Sequence, residues 1–243
     1  NVSRNPPLPP NASKVLKLAS WNLQIFGESK AKNATLMALY SSIMKQYGII
    51  FIQEIRDASG TAFPKLCTLM PGYQCLNSSR AGRSSSKEQY GIIYKGVELA
   101  GMKDYNPDSQ DRWERPPFQV SFKQGIYTFT ALVEHTKPDE TPREIEALDN
   151  LTANISGNVV VLGDLNADCS YYPAKKDFEN WTWAIRTGTD TASGNTSCTY
   201  DRFIFNPDMA REYAASGVFS ENITPAVSDH YLVWSEIKTE EAG

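Results

Sequence analysis

The feature that most limits what this chain can become is a series of short apolar runs, several of them opening or closing on polar side chains. Eight of them read as strands: VLKLASWNLQI, GIIFIQEI, QYGIIYK, FQVSF, IYTFTALVEH, NVVVLGDLN, YDRFIF and HYLVWSEI. They are rich in β-branched and aromatic residues and are separated by Gly, Pro, Asn and Asp. Helical periodicity is confined to three segments. Asn33 to Gln46 puts Leu36, Leu39, Tyr40, Ile43 and Met44 on one face, and helices are also expected at Arg143 to Asn154 and Asp177 to Ile185. Strands outnumber helices, several neighbours are close enough to pair antiparallel, and no period recurs. The expected class is α/β (α+β), a four-layer sandwich of two packed, mostly antiparallel sheets flanked by helices.

At 243 residues one large core is the default. The proline-rich start, NVSRNPPLPP, reads as an extended tail over residues 1–14, followed by a single domain over 15–238 and a short tail over 239–243. No apolar run approaches the roughly 18 residues of a membrane helix, and the start has no signal-peptide pattern, so a mature, soluble protein that does not enter membranes is expected. Cys67 and Cys75 flank a short turn and are expected to pair, leaving Cys169 to pair with Cys198. Two disulfides imply an oxidising, extracellular compartment. Asn-x-Ser/Thr acceptors agree with that setting, occurring at Asn1, Asn11, Asn33, Asn77, Asn150, Asn154, Asn180, Asn195 and Asn222, nine of fifteen asparagines.

The strand ends concentrate chemistry. Runs finish in Trp21-Asn22, Gln53-Glu54, Glu134-His135 and Gly163-Asp164-Leu165-Asn166, while others open at Asp201 and at Asp229-His230. Any one of these could be turn filler, since Asn and Asp are common turn residues. Together, if the strands open at one edge of a sandwich, they make an oxygen-rich concave surface suited to a hard cation, Mg²⁺ or Mn²⁺ first. Both histidines of the chain fall in these segments, and histidine is the side chain best poised for proton transfer near neutral pH. With a net charge of −4, bulk electrostatic wrapping of nucleic acid is excluded, so phosphate contact must be local.

The segments SWNLQIFGESK, IIFIQEIRD, GRSSSKEQY, ALVEHTKP, LGDLNADCSY, SCTYDR and SDHY, in that order from Leu16 to Ile237, resemble the deoxyribonuclease I family of the endonuclease/exonuclease/phosphatase superfamily. The resemblance implies a secreted, metal-dependent endonuclease that cuts double-stranded DNA to 5′-phosphate ends. It implies a metal near Asn22, Glu54 and Asp229, with Asp164 and Asn166 around the scissile phosphate. His230 would pair with Asp201 and His135 with Glu88. Arg56 and Arg115 match phosphate-contacting arginines, with Arg83 and Tyr200 as further DNA contacts, and the Cys169–Cys198 bridge falls where the family has one.

Departures accompany the match. Gln24 stands where an arginine is usual and Ser86 where a tyrosine is usual. The family's Ca²⁺ sites are partly echoed by Asp190, Thr196 and Asp111, but Ala192 and Gly194 replace oxygen-bearing side chains. Vertebrate members bind actin through the region matching Tyr73 to Leu76 and a small residue where this chain has Phe118, so tight actin binding is not expected, and a monomer is. The competing readings are a phosphodiesterase of the same superfamily acting on lipid or inositol phosphates and a non-catalytic secreted binding glycoprotein. The GRSSSKEQY loop, Arg56 and Arg115 favour DNA over lipid, and no catalytic position is missing.

Overall fold

The computed structural model describes residues 15–174 and 176–239. The expected tail over 1–14 and the Asn1 and Asn11 acceptors lie outside the described residues. In chain order the elements are β1 (Val15–Phe26), α1 (Glu28–Lys32), α2 (Ala34–Met44), β2 (Ile49–Ile55), α3 (Ala62–Thr68), β3 (Gln74–Asn77), β4 (Gln89–Tyr94), β5 (Glu98–Asp104), β6 (Phe118–Gln124), β7 (Tyr127–His135), α4 (Thr141–Thr152), β8 (Asn158–Asp164), β9 (Thr182–Trp183), β10 (Asp201–Phe205), β11 (Tyr213–Phe219) and β12 (Leu232–Lys238).

The strands form two six-stranded sheets, ordered β11-β12-β1-β2-β4-β3 and β5-β6-β7-β8-β10-β9. Each is mixed, with one parallel pair inside it: β1 beside β2 in the first and β7 beside β8 in the second. Parallel neighbours need a crossover, which α1 and α2 supply in the first case and α4 in the second. This arrangement places the C-terminal ends of four central strands at one edge, while β4, β10 and β12 run antiparallel and begin there.

Side-chain alternation along the strands builds the layers. In β8, Val160 and Leu162 face the inter-sheet core with Phe51, Val120 and Phe203, whereas Val159 and Val161 face Ile145 and Leu148 of α4. On the other side, Trp21, Ile50 and Ile52 pack against Tyr40, Ile43 and Phe63 of the helices. The expected α2 begins at a cap, because the Asn33 side chain accepts from the Leu36 amide at 3.0 Å. The expected helix over Asp177 to Ile185 is not formed. Phe178 and Asn180 have φ of 55° and 67°, which a helix cannot hold, and Thr182–Trp183 pair with β10 instead. Both expected disulfides are present, Cys67–Cys75 and Cys169–Cys198.

Among the described glycines, the one with least room for a side chain lies between the two central strands of the second sheet. Gly163 pairs with Glu134 at φ 131°, and a Cβ there would sit 2.0 Å from the Glu134 carbonyl oxygen. Gly163→Ala is therefore expected to destabilise the fold by roughly 3 kcal/mol or more, by overpacking and by backbone strain together. A urea melt would show this, and an unchanged midpoint would contradict the assigned register.

Candidate active site

The seven converging strand ends bring the two histidines and five acidic residues to one edge. His135, last residue of β7, lies opposite Asp164, last residue of β8. Its Nδ1 is 2.9 Å from Glu88 Oε2, and its Nε2 is 3.3 Å from Asp164 Oδ2. His230 repeats the pattern from the other sheet, with Nδ1 2.8 Å from Asp201 Oδ2 and Nε2 3.4 Å from the same Asp164 Oδ2. Each imidazole is thus held on one side by its own carboxylate, and both present the other nitrogen to a single oxygen. Asp164, Asp201, Glu88 and His135 are buried, while His230 is half-buried.

Beside this pair, Asn22 at the end of β1 donates its side-chain amide to Asp164 Oδ2 at 2.9 Å and to Glu54 Oε1 at 3.1 Å. Its oxygen accepts from the Gln24 amide at 2.8 Å, so the nitrogen faces the acids. Glu54 Oε2 accepts from the Ile25 amide at 2.8 Å, and each carboxylate oxygen keeps a further lone pair. Asp229, with a half-exposed side chain, has at Oδ1 a buried oxygen without a hydrogen-bond partner among the described residues, 3.9 Å from His230 Nε2. An unpaired carboxylate oxygen at this strand edge suits a hard cation. A tighter cluster, Asp164, Asp201 and His230 within 4.8 Å, fits an ion less well, because both nitrogens of His230 already face carboxylates. Asn166 donates its side-chain amide to the Thr136 carbonyl at 3.0 Å.

The backbone around these groups is strained where it aims them. Gln24, Ile25, Glu54 and Asn166 all have positive φ, between 46° and 59°, a conformation costly for non-glycine residues and worst for the β-branched Ile25.

The model of the Endonuclease/Exonuclease/phosphatase family matches residues 19–230. The chain belongs to that family. Within it, the chain is 30% identical to the deoxyribonuclease-1 of Gallus gallus over 92% of each chain, and 32% identical to the deoxyribonuclease gamma of Rattus norvegicus over 93% of this chain and 86% of that one. The fold matches a solved endonuclease/exonuclease/phosphatase protein from Bacteroides vulgatus with a TM-score of 0.70 at 16% identity, covering 93% of this chain and 100% of that one. The chain is a nuclease-type hydrolase of the deoxyribonuclease I branch.

In this family member the electrostatics raise the proton affinity of both imidazoles. Burial pushes both histidines down, but the carboxylates win: Asp201 and Asp164 raise His230 well above its ordinary value, and Glu88 and Asp164 raise His135 against the opposing Arg115. Burial alone would raise Asp164, yet the two imidazoles hold it below the usual carboxylate range. Burial keeps Asp201 above its ordinary value.

The arginines are largely committed to the protein. Arg115 donates to the His135 and Thr136 carbonyls at 2.8 Å each and pairs with Glu88 at 2.9 Å. Arg83 bonds Asp111, Glu114 and Glu140. Arg56 lies 4.0 Å from Glu54, and with Arg83, Arg115 and Lys137 it lines a groove that starts at His135. Tyr200 lies with its ring centroid 6.3 Å from that of His230 and 5.7 Å from that of Tyr171, at the opposite rim. Of the calcium candidates, Asp111 is paired with Arg83, Asp190 accepts from the Ala192 amide, and Thr196 is exposed.

Sequence reading missed the braces. Ser228 Oγ donates to the Asn22 carbonyl at 2.6 Å and accepts from the His230 amide at 3.1 Å. Lys30 donates to the Leu23 and Val227 carbonyls at 2.7 and 3.0 Å. Glu144 accepts from the amides of Glu114 and Lys137, fixing the segments that carry Arg115 and His135. Ser228 alone had a signal, as the neighbour of Asp229-His230.

Glu134 is fully buried, and neither carboxyl oxygen has a hydrogen-bond partner among the described residues. Burial, aided by Glu144, raises it well above its ordinary value. A raised acid contributes stability that is full below its unfolded value and is lost as pH rises through the folded one, by up to about 1.4 kcal/mol per pH unit. Glu134→Gln is accordingly expected to melt higher than the parent at pH 8 and to differ little at pH 4. Equal melting temperatures at both pH values would show that Glu134 is not held protonated.

Proposed function

We propose that this chain is a secreted endonuclease that hydrolyses double-stranded DNA with little sequence preference, leaving 5′-phosphate ends. The carrying observation is the pair of imidazoles, each held at Nδ1 by a private carboxylate and meeting at Asp164 Oδ2. A carboxylate on one ring nitrogen fixes the tautomer and raises the basicity of the other. A scissile phosphate beside Asp164 and Asn166 lies within reach of both Nε2 atoms. One imidazole takes a proton from water as the new O–P bond forms. The other gives a proton to the 3′-oxygen as the old P–O bond breaks. Glu54, Asn22 and Asp229 would hold the cation, Mg²⁺ or Mn²⁺, which when bound would offset charge on the phosphate oxygens. Arg56, Arg115, Arg83 and Tyr200 border the path of the DNA strand, and the deoxyribonuclease names of the relatives support DNA as substrate.

Calcium at Asp190, Thr196 or Asp111 is not needed in this reading, since Arg83 already neutralises Asp111. Two features support an extracellular setting. Both disulfides are formed, and all seven described acceptor asparagines, Asn33, Asn77, Asn150, Asn154, Asn180, Asn195 and Asn222, are exposed. The five described asparagines outside acceptor motifs, Asn22, Asn106, Asn158, Asn166 and Asn206, are buried or half-buried. The chain is read as a monomer, and Phe118, buried at the start of β6, leaves no small-residue surface there for actin.

With supercoiled plasmid, Mg²⁺-dependent nicking that stops in EDTA is expected, and His135→Ala or His230→Ala should each lower kcat by about a hundredfold or more. Cleavage persisting in EDTA, or undiminished in either variant, would sink the mechanism. Material secreted from a eukaryotic host should lose mass on treatment with an N-glycosidase. Identical masses before and after would remove glycosylation from the reading.

A further inference from the structure

The Asp201–His230 pair joins two strands that are not neighbours: Asp201 opens β10 of one sheet and His230 precedes β12 of the other. Their 2.8 Å contact therefore depends on something that fixes one sheet edge against the other. A strap formed by residues 189–198 does this, and its centre is Thr191, which is fully buried. The Thr191 hydroxyl donates to the Cys198 carbonyl at 3.2 Å and accepts from the amides of Tyr200 at 3.0 Å and Asp201 at 3.3 Å. The same hydroxyl also lies against the Asp201 side chain, whose carboxyl it helps to lower. The Thr191 amide also donates to the Cys198 carbonyl, and its own carbonyl accepts from the Tyr231 amide at 2.8 Å.

One residue thus binds the backbone of Asp201 with its side chain and the backbone next to His230 with its carbonyl. The strap continues onto the histidine segment, with Ala192 bridging to His230, the Ser193 amide donating to the Asp229 carbonyl, and Ser193 Oγ donating to the Ser228 carbonyl. We infer that Thr191 is a positioning residue of the reaction, which sets the Asp201–His230 pair by clamping both of its backbones. The inference rests on the proposed acid–base role of that pair. It follows from three links: the pair spans two sheets, both flanks end on Thr191, and its hydroxyl bonds the backbone at Cys198, Tyr200 and Asp201.

Thr191→Val keeps the shape but removes the hydroxyl, and Thr191→Ser keeps the hydroxyl but removes a methyl. In plasmid cleavage with Mg²⁺, Thr191→Val is expected to lose at least about tenfold in kcat, part of an acid–base contribution of about a hundredfold or more, with KM for DNA unchanged. Thr191→Ser should recover most of that loss. The downfield proton resonance of His230 Nδ1–H, read at one pH without DNA, should shift or vanish in Thr191→Val and persist in Thr191→Ser. Wild-type kcat and an unmoved resonance in Thr191→Val would overturn the inference. So would losses in Val and Ser variants that are equal and follow their melting temperatures. If Thr191→Val does not fold, Thr191→Cys, with a weak donor of similar size, takes its place under the same criteria. Should the wild-type protein fail to cut DNA, the nuclease reading falls, while the resonance still decides the role of Thr191.

Discussion

The structure turns on one buried carboxylate. Asp164 is almost fully removed from water, and an ionised carboxylate in that position is tolerated only if it is paired and hydrogen-bonded. Two imidazoles, the Asn22 amide and the Asn166 backbone amide supply that compensation. Each imidazole is itself buried or half-buried and is in turn held at Nδ1 by Glu88 or Asp201. Removing either imidazole would leave the buried Asp164 carboxylate with less compensation. The stability of the site and its proton-transfer capacity therefore have the same source.

That network can assemble only because the two sheets share a plan. Each has a parallel pair whose C-terminal ends point to one edge, the general location of ligand sites in sheets with parallel strands. The close approach at Gly163 sets His135 beside Asp164, and the positive-φ residues Gln24, Ile25, Glu54 and Asn166 turn their segments sharply at the rim. Strain is concentrated where amides must be aimed at Asn22 and Glu54 oxygens, and the buried core beneath carries its cost.

The surface charges follow a similar economy. The chain is acidic overall, and the cations nearest the site, Arg83, Arg115 and Lys137, are bonded to carboxylates or carbonyls. Arg112, likewise, holds Asp108 bidentately. These contacts build the groove and orient the segments that carry the two histidines, and Arg56, 4.0 Å from Glu54, holds a carboxylate less tightly than Arg83 or Arg115 does.

Much of this was legible in the sequence. The apolar run of Val159 to Leu162, the helical periodicity within Asn33 to Gln46, the paired cysteines and the polar strand tips are local signals, and each element they marked is present. The strands that were missed, β3, β5, β9 and β11, are the four sheet edges. Edge strands are short or exposed and carry little apolar pattern, and the two-residue β9 was hidden inside an expected helix that Phe178 and Asn180 break. Sequence by itself determined which residue types close each strand, and so which chemistry is available. Tertiary structure alone decided that both histidines share one oxygen of Asp164, that Arg83 and Arg115 are committed to internal partners, and that Thr191 spans the two sheets. Those are contacts between residues distant along the chain, and no local propensity encodes which distant partner a side chain will meet.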